Sequence, residues 1–238
     1  MQVDILAIGA HPDDIELGCS GTILKHISLG YSVGLIDLTQ GELGTRGSAV
    51  LRLKEAEEAR KILGAAFRTN LKLEDGFFEN NKTNQLKLVQ LIRLHRPKII
   101  LANALADRHP DHGKGARLVA DAVFYSGLVK VETEFEGKPQ QPWRPRYVFH
   151  YLQDRYHHPD IIVDISGFMD KRMEAIRAFD SQFFKEDSNE PETPISSPQF
   201  MDALYYRPVE LGRMAGFEFG EGFQCESKLG LNDLFRLG

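Results

Sequence analysis

Apolar segments with the length of buried strands alternate with segments of helical periodicity along the first half of this chain. Residues 3–10 contain few polar positions, as expected for a strand that is covered on both faces. Residues 17–29 repeat leucine and isoleucine at helical spacing. The alternation continues to about residue 125, and it predicts an α/β fold: a Rossmann-like, mostly parallel sheet with right-handed crossovers and helices on both faces.

The second half of the chain is less regular. We predict an exposed excursion over residues 130–145 and a loop over residues 187–198, which contain three prolines. No linker is long enough to divide the chain, so we interpret residues 1–238 as a single domain whose irregular C-terminal portion completes the site. The predicted strands cover residues 3–10, 32–38, 70–73, 98–102, 147–153 and 161–165. The predicted helices cover residues 17–29, 50–63, 84–94, 112–125, 168–179 and 199–215, the last interrupted or kinked at Pro208.

Composition excludes several classes of partner. The net charge is −5 and there is no basic tract, which argues against nucleic acid and against an anionic membrane surface. No apolar run reaches the ~18 residues of a membrane span, and the first residues lack the layout of a signal peptide. With only Cys19 and Cys225 present, far apart in sequence, we expect a reduced, cytoplasmic protein that acts on a small molecule.

Two short polar segments follow predicted strands. The segment AHPDD occupies residues 10–14, and the segment HPDH occupies residues 109–112. Because the carboxyl ends of parallel strands meet at one edge of a sheet, where ligands bind, we expect the two segments to converge. His11, Asp14 and His112 form the natural set of three ligands for a hydrolytic zinc with one open position, and ferrous iron would also suit them.

Neighbouring residues supply candidates for proton transfer. Asp13 adjoins a predicted ligand and is placed to take a proton from an attacking water. His109, as an imidazolium, is predicted to stabilise an oxyanion or to protonate the leaving amine. Asp111, two residues on, is predicted to orient His109 and to hold its tautomer.

These segments resemble the LmbE-like (PIG-L) family of zinc-dependent N-acetylglucosaminyl deacetylases, whose paired signature is AHPDD and HPDH. The glycine-rich block at residues 41–47 and the segments DSQF (180–183) and EGF (221–223) extend the resemblance over nearly the whole chain. The resemblance implies removal of an N-acetyl group from an N-acetylglucosaminyl substrate. It also implies a homo-oligomer and a substrate contact by Arg52. The resemblance assigns the same roles as above. His11, Asp14 and His112 are the metal ligands, Asp13 is the base, and His109 is the electrostatic or acid partner.

Within the family, the overall likeness is greatest to the branch that acts on N-acetylglucosaminyl-malate in bacillithiol synthesis. The small size, the lack of a membrane anchor and the loop at residues 107–112 favour this branch. Such an enzyme needs a cation for the malate carboxylates, and Arg46, Arg52 or Arg108 is predicted to supply it.

Simpler interpretations stay open. Asp13 and Asp14 also suit the start of a helix as caps, Arg52 also suits a surface pair with Glu55, and His158 suits either a pocket wall or a solvated loop. A dinucleotide site using Asp37 is disfavoured, because the glycine spacing is wrong and a bulky His11-Pro12 pair occupies the pyrophosphate position. Two functional alternatives remain: an amidase acting on a related glucosaminyl thiol conjugate, and a non-catalytic metal-binding protein.

Overall fold

The computed structural model describes residues 1–184, 189–233 and 235. It confirms the predicted α/β class. Its strands are β1 (Ile5–Gly9), β2 (Val33–Thr39), β3 (Phe67–Leu73), β4 (Ile99–Ala102), β5 (Glu134–Phe135), β6 (Lys138–Pro139), β7 (Tyr147–Tyr151), β8 (Ile161–Asp164) and β9 (Gly220–Gln224). Its helices are α1 (Asp14–Ser28), α2 (Ala49–Leu63), α3 (Lys82–His95), α4 (Pro110–Ser126), α5 (Met169–Arg177) and α6 (Pro198–Ala215).

The main sheet of the described residues has the strand order β3-β2-β1-β4-β7-β9-β8. Strands β3, β2, β1, β4 and β7 run parallel to one another, and β9 runs antiparallel to both β7 and β8. The centre of the sheet is therefore the doubly wound part predicted from the first half of the chain. β1 and β4 lie side by side, so the loops that follow them meet at one edge.

Side-chain alternation along β1 divides the core into two layers. Leu6 and Ile8 pack in the layer that contains helices α3 and α4, whereas Ile5 and Ala7 pack in the layer that contains α1. All four side chains are buried, because successive residues of a strand point to opposite faces. Burial on both faces explains why the strand contains no polar side chain.

The C-terminal portion adds a third apolar cluster formed by α2, α5 and α6. Ser197 caps the first turn of α6 by accepting a hydrogen bond from the Phe200 backbone N–H at 3.2 Å, and Pro198 follows at the first helical position. The helix continues through Pro208 to Ala215. Within the predicted loop at 187–198, residues 187 and 188 lie outside the described residues, and 189–197 contain no helix or strand.

Several features differ from the sequence predictions, among them β3, which begins at Phe67 instead of at residue 70. Helix α1 begins three residues earlier, at Asp14, and has a non-helical residue at Cys19 (φ −150°, ψ 18°). Strands β5 and β6 form a short hairpin inside the predicted excursion at 130–145. β9 was not predicted, because its sequence GEGFQ contains two glycines and no β-branched residue. No helix among the described residues is long and apolar enough to cross a membrane.

A buried ion network lies beneath α1. Arg68 donates to both oxygens of Asp37 at 2.7 and 2.8 Å and to Glu16 at 2.6 Å, and all three side chains are buried. Burial disfavours the charged form of Arg68, but the two carboxylates raise its pKa far above its ordinary value. Asp37 is thereby engaged inside the protein, which removes the acid that a dinucleotide site would require.

Replacing Arg68 by methionine is expected to lower the free energy of unfolding by about 3–5 kcal/mol, because two buried carboxylates would lose their cation. Urea denaturation measures this loss. The matched control is Lys61→Met, which removes an exposed pair with Glu58 and should cost no more than about 1 kcal/mol. Equal stability of the two variants would contradict a structural role for the Arg68 network.

Candidate metal centre

The two polar segments meet where β1 and β4 end. The structure brings His11, from the loop after β1, within 5.6 Å of His112 on the first turn of α4, measured between ring centroids. Both segments sit at helix starts: Asp14 opens α1, and His109 caps α4 by accepting the Asp111 backbone N–H at 3.2 Å. The expected convergence at one sheet edge is therefore present.

A carboxylate fixes the orientation of His112. Nδ1 of His112 lies 2.6 Å from Oδ2 of Asp107, and Nε2 lies 3.1 Å from Oδ1 of Asp14. Burial would raise the pKa of Asp107, but the hydrogen bond from His112 holds it below the ordinary value, so Asp107 is an acceptor. Nδ1 therefore carries a proton, and Nε2 faces Asp14.

A second carboxylate orients His11, here through Nε2 instead of Nδ1. Nε2 of His11 lies 3.0 Å from Oδ1 of Asp75, and Nδ1 lies 3.6 Å from Oδ2 of Asp14. Asp75 also accepts the Leu43 backbone N–H at 2.9 Å, which fixes its position. Each histidine thus donates one ring N–H outward to a carboxylate and turns its other nitrogen toward Asp14, the usual arrangement of a metal-binding imidazole.

Amide groups hold the Asp14 carboxylate between the two rings. Asn103 Nδ2 donates to Oδ2, and Gln153 Nε2 donates to Oδ1, both at 2.9 Å. The His11 backbone N–H donates to Oδ2 at 2.9 Å. Asp14 is 3% exposed, so protein groups supply most of its hydrogen bonds. The carboxylate is held in one orientation with an oxygen toward each histidine.

The charges of this cluster favour a cation. In neutral histidines, the nitrogens that face Asp14 would present lone pairs to a carboxylate, which is unfavourable unless a cation lies between them. Burial opposes charging His112, but Asp14 and Asp107 raise its pKa to about 9. Burial would raise the pKa of Asp14, yet the charge of His112 holds it well below the ordinary value. The donor set of two nitrogens and a carboxylate fits zinc or ferrous iron.

His109 completes a group of three imidazoles. Ring nitrogens of His11, His109 and His112 lie within 4.8 Å of one another, as do single ligand atoms of His11, Asp75 and Asp111. Burial, reinforced by the neighbouring histidines, lowers the pKa of His109, which favours a neutral imidazole over the imidazolium expected from the sequence. Because its Nδ1 accepts the Asp111 backbone N–H, its proton lies on Nε2. His109 is therefore better suited to donate a hydrogen bond than to bind the metal.

Asp13 occupies a strained position beside the cluster. Its backbone has φ 122°, a region that non-glycine residues rarely adopt. Arg52 holds it by donating to the Pro12 carbonyl at 2.8 Å and to Oδ2 of Asp13 at 2.7 Å. Burial raises the pKa of Asp13 to about 6, a shift that the Arg52 charge limits. A carboxylate that is ionised at neutral pH and has this pKa can accept a proton.

Arg52 is buried, so it does not fit the interpretation as a surface residue paired with Glu55. It does not pair with Glu55, which instead accepts hydrogen bonds from the backbone N–H and hydroxyl of Ser181, both at 2.8 Å. The close approach of Arg52 to Gly41 (φ 64°) needs a glycine, because a Cβ there would collide with the guanidinium. Arg52 lines the cavity but is engaged with Asp13, which indicates a positioning role.

The structure places Asp111 differently from the sequence prediction. Its carboxylate accepts the Gly76 backbone N–H at 2.7 Å, pairs with Lys114 at 2.6 Å and lies 3.5 Å from Nε2 of His11. Its contact with His109 is made by the backbone N–H, not by the carboxylate. Asp111 lies in the first turn of α4, and its side chain reaches the loop after β3, so it supports His11 instead of orienting His109.

A cavity of about 390 Å³ opens onto the cluster. Of the residues predicted to bind substrate, Arg46, Arg52 and Arg108 line it. Arg46 is buried and donates to the Phe183 carbonyl at 3.3 Å. His158 is not among the described residues that line it: its side chain is exposed and its ring centroid lies 5.7 Å from that of Tyr156, which favours the solvated-loop interpretation.

Sequence reasoning missed four residues that hold the predicted ligands in place: Asp75, Asn103, Asp107 and Gln153. Asn103 and Asp107 follow β4, Gln153 follows β7 and Asp75 follows β3, so all four lie beyond the carboxyl ends of parallel strands. That placement is the signal that could have identified them. A single acid or amide in a loop has no motif around it, so the residue types alone did not identify these residues.

Replacing Asp107 by asparagine is expected to weaken metal binding about 10- to 100-fold, because His112 would lose the charged acceptor that fixes its tautomer. Competition with a chelator of known affinity measures the change. Asp121→Asn is the matched control, since Asp121 lies on the same helix as His112 and accepts a hydrogen bond from Asn80 instead. Unchanged metal affinity in Asp107→Asn would contradict the orienting role.

Comparison with known proteins defines the class. The PIG-L family model, described as GlcNAc-PI de-N-acetylase, matches residues 6–123. The chain is 31% identical over 230 residues to diacetylchitobiose deacetylase of Thermococcus kodakarensis, covering 92% of this chain and 82% of the relative. A fold and site of this kind define an α/β deacetylase with a candidate metal centre. The chain belongs to the PIG-L (LmbE-like) deacetylase family.

Two solved structures have the same fold. The conserved protein TT1542 from Thermus thermophilus matches with a TM-score of 0.85 and 35% identity over 97% of this chain and 98% of the other. The N,N'-diacetylchitobiose deacetylase of Pyrococcus horikoshii matches with a TM-score of 0.76 and 26% identity over 92% of this chain and 82% of the other.

Weaker relatives carry other named activities. The Bacillus anthracis protein named "Probable N-acetyl-alpha-D-glucosaminyl L-malate deacetylase 2" is 24% identical, covering 75% of this chain and 81% of its own. Mycothiol S-conjugate amidase of Streptomyces coelicolor is 26% identical over 63% and 60% of the two chains. A 4-oxalmesaconate hydratase of Pseudomonas putida is 28% identical over 76% and 74%. The likeness to the malate branch is therefore lower than the likeness to the chitobiose deacetylase.

Proposed function

We propose that residues 1–238 form one metal-dependent hydrolase domain that removes the N-acetyl group from an N-acetylglucosaminyl substrate. The observation that carries the proposal is the pair of carboxylate-oriented histidines, His11 and His112, that face Asp14 beside a candidate base in one cavity. Zinc is the proposed metal, with ferrous iron as the alternative in the cell, and His11, Asp14 and His112 are its proposed ligands. When bound, such an ion lowers the pKa of water and polarises an amide carbonyl.

The chain's own residues carry the proton transfers. Asp13, held by Arg52, takes the proton of the attacking water, and its raised pKa allows it to release that proton later to the leaving amine. The Nε2–H of His109 donates to the oxyanion that forms on the acetamide oxygen. Asp75 and Asp107 hold the ligand histidines, and Asp111 supports His11 from the same side as Asp75.

The finer proposal is that the aglycone is malate, as in bacillithiol synthesis, with Arg46, Arg52 or Arg108 near its carboxylates. The relative named for that substrate supports this choice, and the more similar diacetylchitobiose deacetylase supports a second N-acetylglucosamine unit instead. The relative named as an amidase supports a glucosaminyl thiol conjugate as a further candidate. A homo-oligomeric, cytoplasmic enzyme stays a prediction.

A substrate panel separates these candidates. Amine release is measured from N-acetylglucosaminyl-malate, diacetylchitobiose, free N-acetylglucosamine and a glucosaminyl thiol conjugate, on protein whose metal content is known. Release from the malate compound at a kcat/KM at least about tenfold above the others supports the finer proposal, a discrimination of about 1.4 kcal/mol. Preference for diacetylchitobiose or for the thiol conjugate would overturn the malate aglycone and leave the hydrolase in place.

A further inference from the structure

Arg207 on α6 differs from three buried arginines around the site. Arg52, Arg68 and Arg172 each pair with a carboxylate at 2.7, 2.6 and 3.1 Å, respectively. Arg207 is half-buried, and in the described part of the chain no carboxylate oxygen lies within 4.0 Å of its guanidinium. Its hydrogen bond is a single one, from Nη2 to the Asp154 carbonyl at 2.7 Å. A guanidinium with five N–H donors is left with most of them unused.

The position of Arg207 connects it to the proposed reaction. Arg207 lines the same cavity as Asp13 and His112. The residue that it contacts, Asp154, directly follows Gln153, whose side chain donates to Asp14 at 2.9 Å. Arg207 therefore lines the cavity of the candidate metal centre, and it bonds the residue that follows Gln153, whose side chain contacts the proposed ligand Asp14.

A second arginine reinforces the positive charge there. Arg108 Nε donates to Oδ2 of Asp154 at 3.2 Å and also lines the cavity. Arg108 thus pairs with the Asp154 carboxylate, whereas Arg207 bonds the backbone carbonyl of the same residue, so two guanidinium groups converge on Asp154 and only that of Arg108 contacts its carboxylate. The neighbouring wall is apolar, with Ile195, Pro208 and Leu211 among its residues, which weakens screening by water.

We propose that Arg207, assisted by Arg108, forms an anion subsite that binds a carboxylate or phosphate on the aglycone of the substrate. The inference rests on the proposed function, and it names a substrate class: N-acetylglucosaminides whose aglycone is acidic. Arginine suits this role because its planar fork binds either anion with two parallel hydrogen bonds.

The test compares three glycosides of N-acetylglucosamine that differ at the end of a short alkyl aglycone: 3-carboxypropyl, 4-phosphobutyl and 4-hydroxybutyl. Amine release is measured for the native protein, Arg207→Gln and Arg207→Lys. The matched control is Arg213→Gln, because Arg213 lies on the same helix but pairs with exposed Glu210 at 2.9 Å. Binding of the corresponding glucosaminides, measured by calorimetry on metal-loaded protein, gives a readout that does not depend on turnover.

The native protein is expected to prefer an anionic glycoside to the hydroxybutyl one, and the larger preference identifies carboxylate or phosphate. Arg207→Gln should lower the anionic-to-neutral ratio of kcat/KM by about 10- to 100-fold. Arg207→Lys should retain part of the native ratio, and Arg213→Gln should leave the ratio unchanged. Equal losses for all three glycosides in Arg207→Gln would overturn the subsite, as would a native protein with no anionic preference in turnover or binding. Binding preference without amine release from any glycoside would support the subsite and refute the proposed function.

Discussion

Replacing Asp13 by asparagine is expected to lower kcat for amine release by about 10²- to 10⁴-fold, the usual contribution of a general base. Asparagine is nearly the same size as aspartate and tolerates a positive φ, so the strained backbone at this position can be kept. Its side-chain oxygen can still accept the hydrogen bond that Arg52 donates at 2.7 Å. The substitution therefore removes the ability to take a proton while leaving most of the local structure in place.

The measurement is a progress curve of amine release on protein whose metal content has been determined. Asp13→Asn should bind metal as the native protein does, because Asp13 is not one of the proposed ligands. A variant with a full complement of metal and native kcat would contradict the assignment of Asp13 as the base. A variant that loses metal would move Asp13 into the ligand set.

Replacing the adjacent Asp14 by alanine should produce the largest loss, because metal and activity disappear together. Among the described residues, Asp14 is the one carboxylate that faces both oriented histidines, at 3.6 Å from Nδ1 of His11 and 3.1 Å from Nε2 of His112. Without it the site keeps two nitrogen donors and loses the negative charge that favours a cation there. Loss of an orienting group typically weakens metal binding about 10- to 100-fold, and we expect the loss of Asp14 to weaken it further.

Asp13→Asn serves as the matched control for this variant, since the two carboxylates are adjacent in sequence and both buried. Elemental analysis after dialysis and chelator competition give the metal content and affinity. Thermal unfolding is followed in parallel, because Asp14 also accepts hydrogen bonds from Asn103 and Gln153. An Asp14→Ala protein that keeps native metal affinity would exclude Asp14 as a ligand and favour the three-imidazole set with His109.

The parts of the fold that were predictable are those encoded locally. β1 and β2 are apolar throughout most of their length, and α2 ends at Gly64, whose φ of 76° is the left-handed cap that glycine favours. In each case the local sequence and the tertiary structure favour the same element. The meeting of the two polar segments also followed, because adjacent parallel strands end at the same edge.

The parts that could not be predicted depend on distant contacts. β9 is a strand because β7 and β8 pair with its backbone on both sides, and its own residues do not favour one. Asp75 is 64 residues from the histidine it orients. Arg52 was predicted to contact substrate, with a surface pair to Glu55 as the alternative, yet the packing of α2 buries it against Asp13. Periodicity reports which face of an element is apolar, and it does not report which polar side chain the fold will place against it.

Metal dependence of amine release is the measurement that tests the central claim most directly. The metal is removed with a chelator, and zinc is titrated back. Amine release is followed on the same samples. The substrate is an N-acetylglucosaminyl compound that the native protein hydrolyses, or, if none is known, the whole panel. We predict that activity is lost on removal and returns in proportion to zinc, reaching its maximum at about one ion per chain. Amine release that persists in the metal-free protein, or full zinc binding with no amine from any substrate of the panel, would contradict the assignment of a metal-dependent deacetylase.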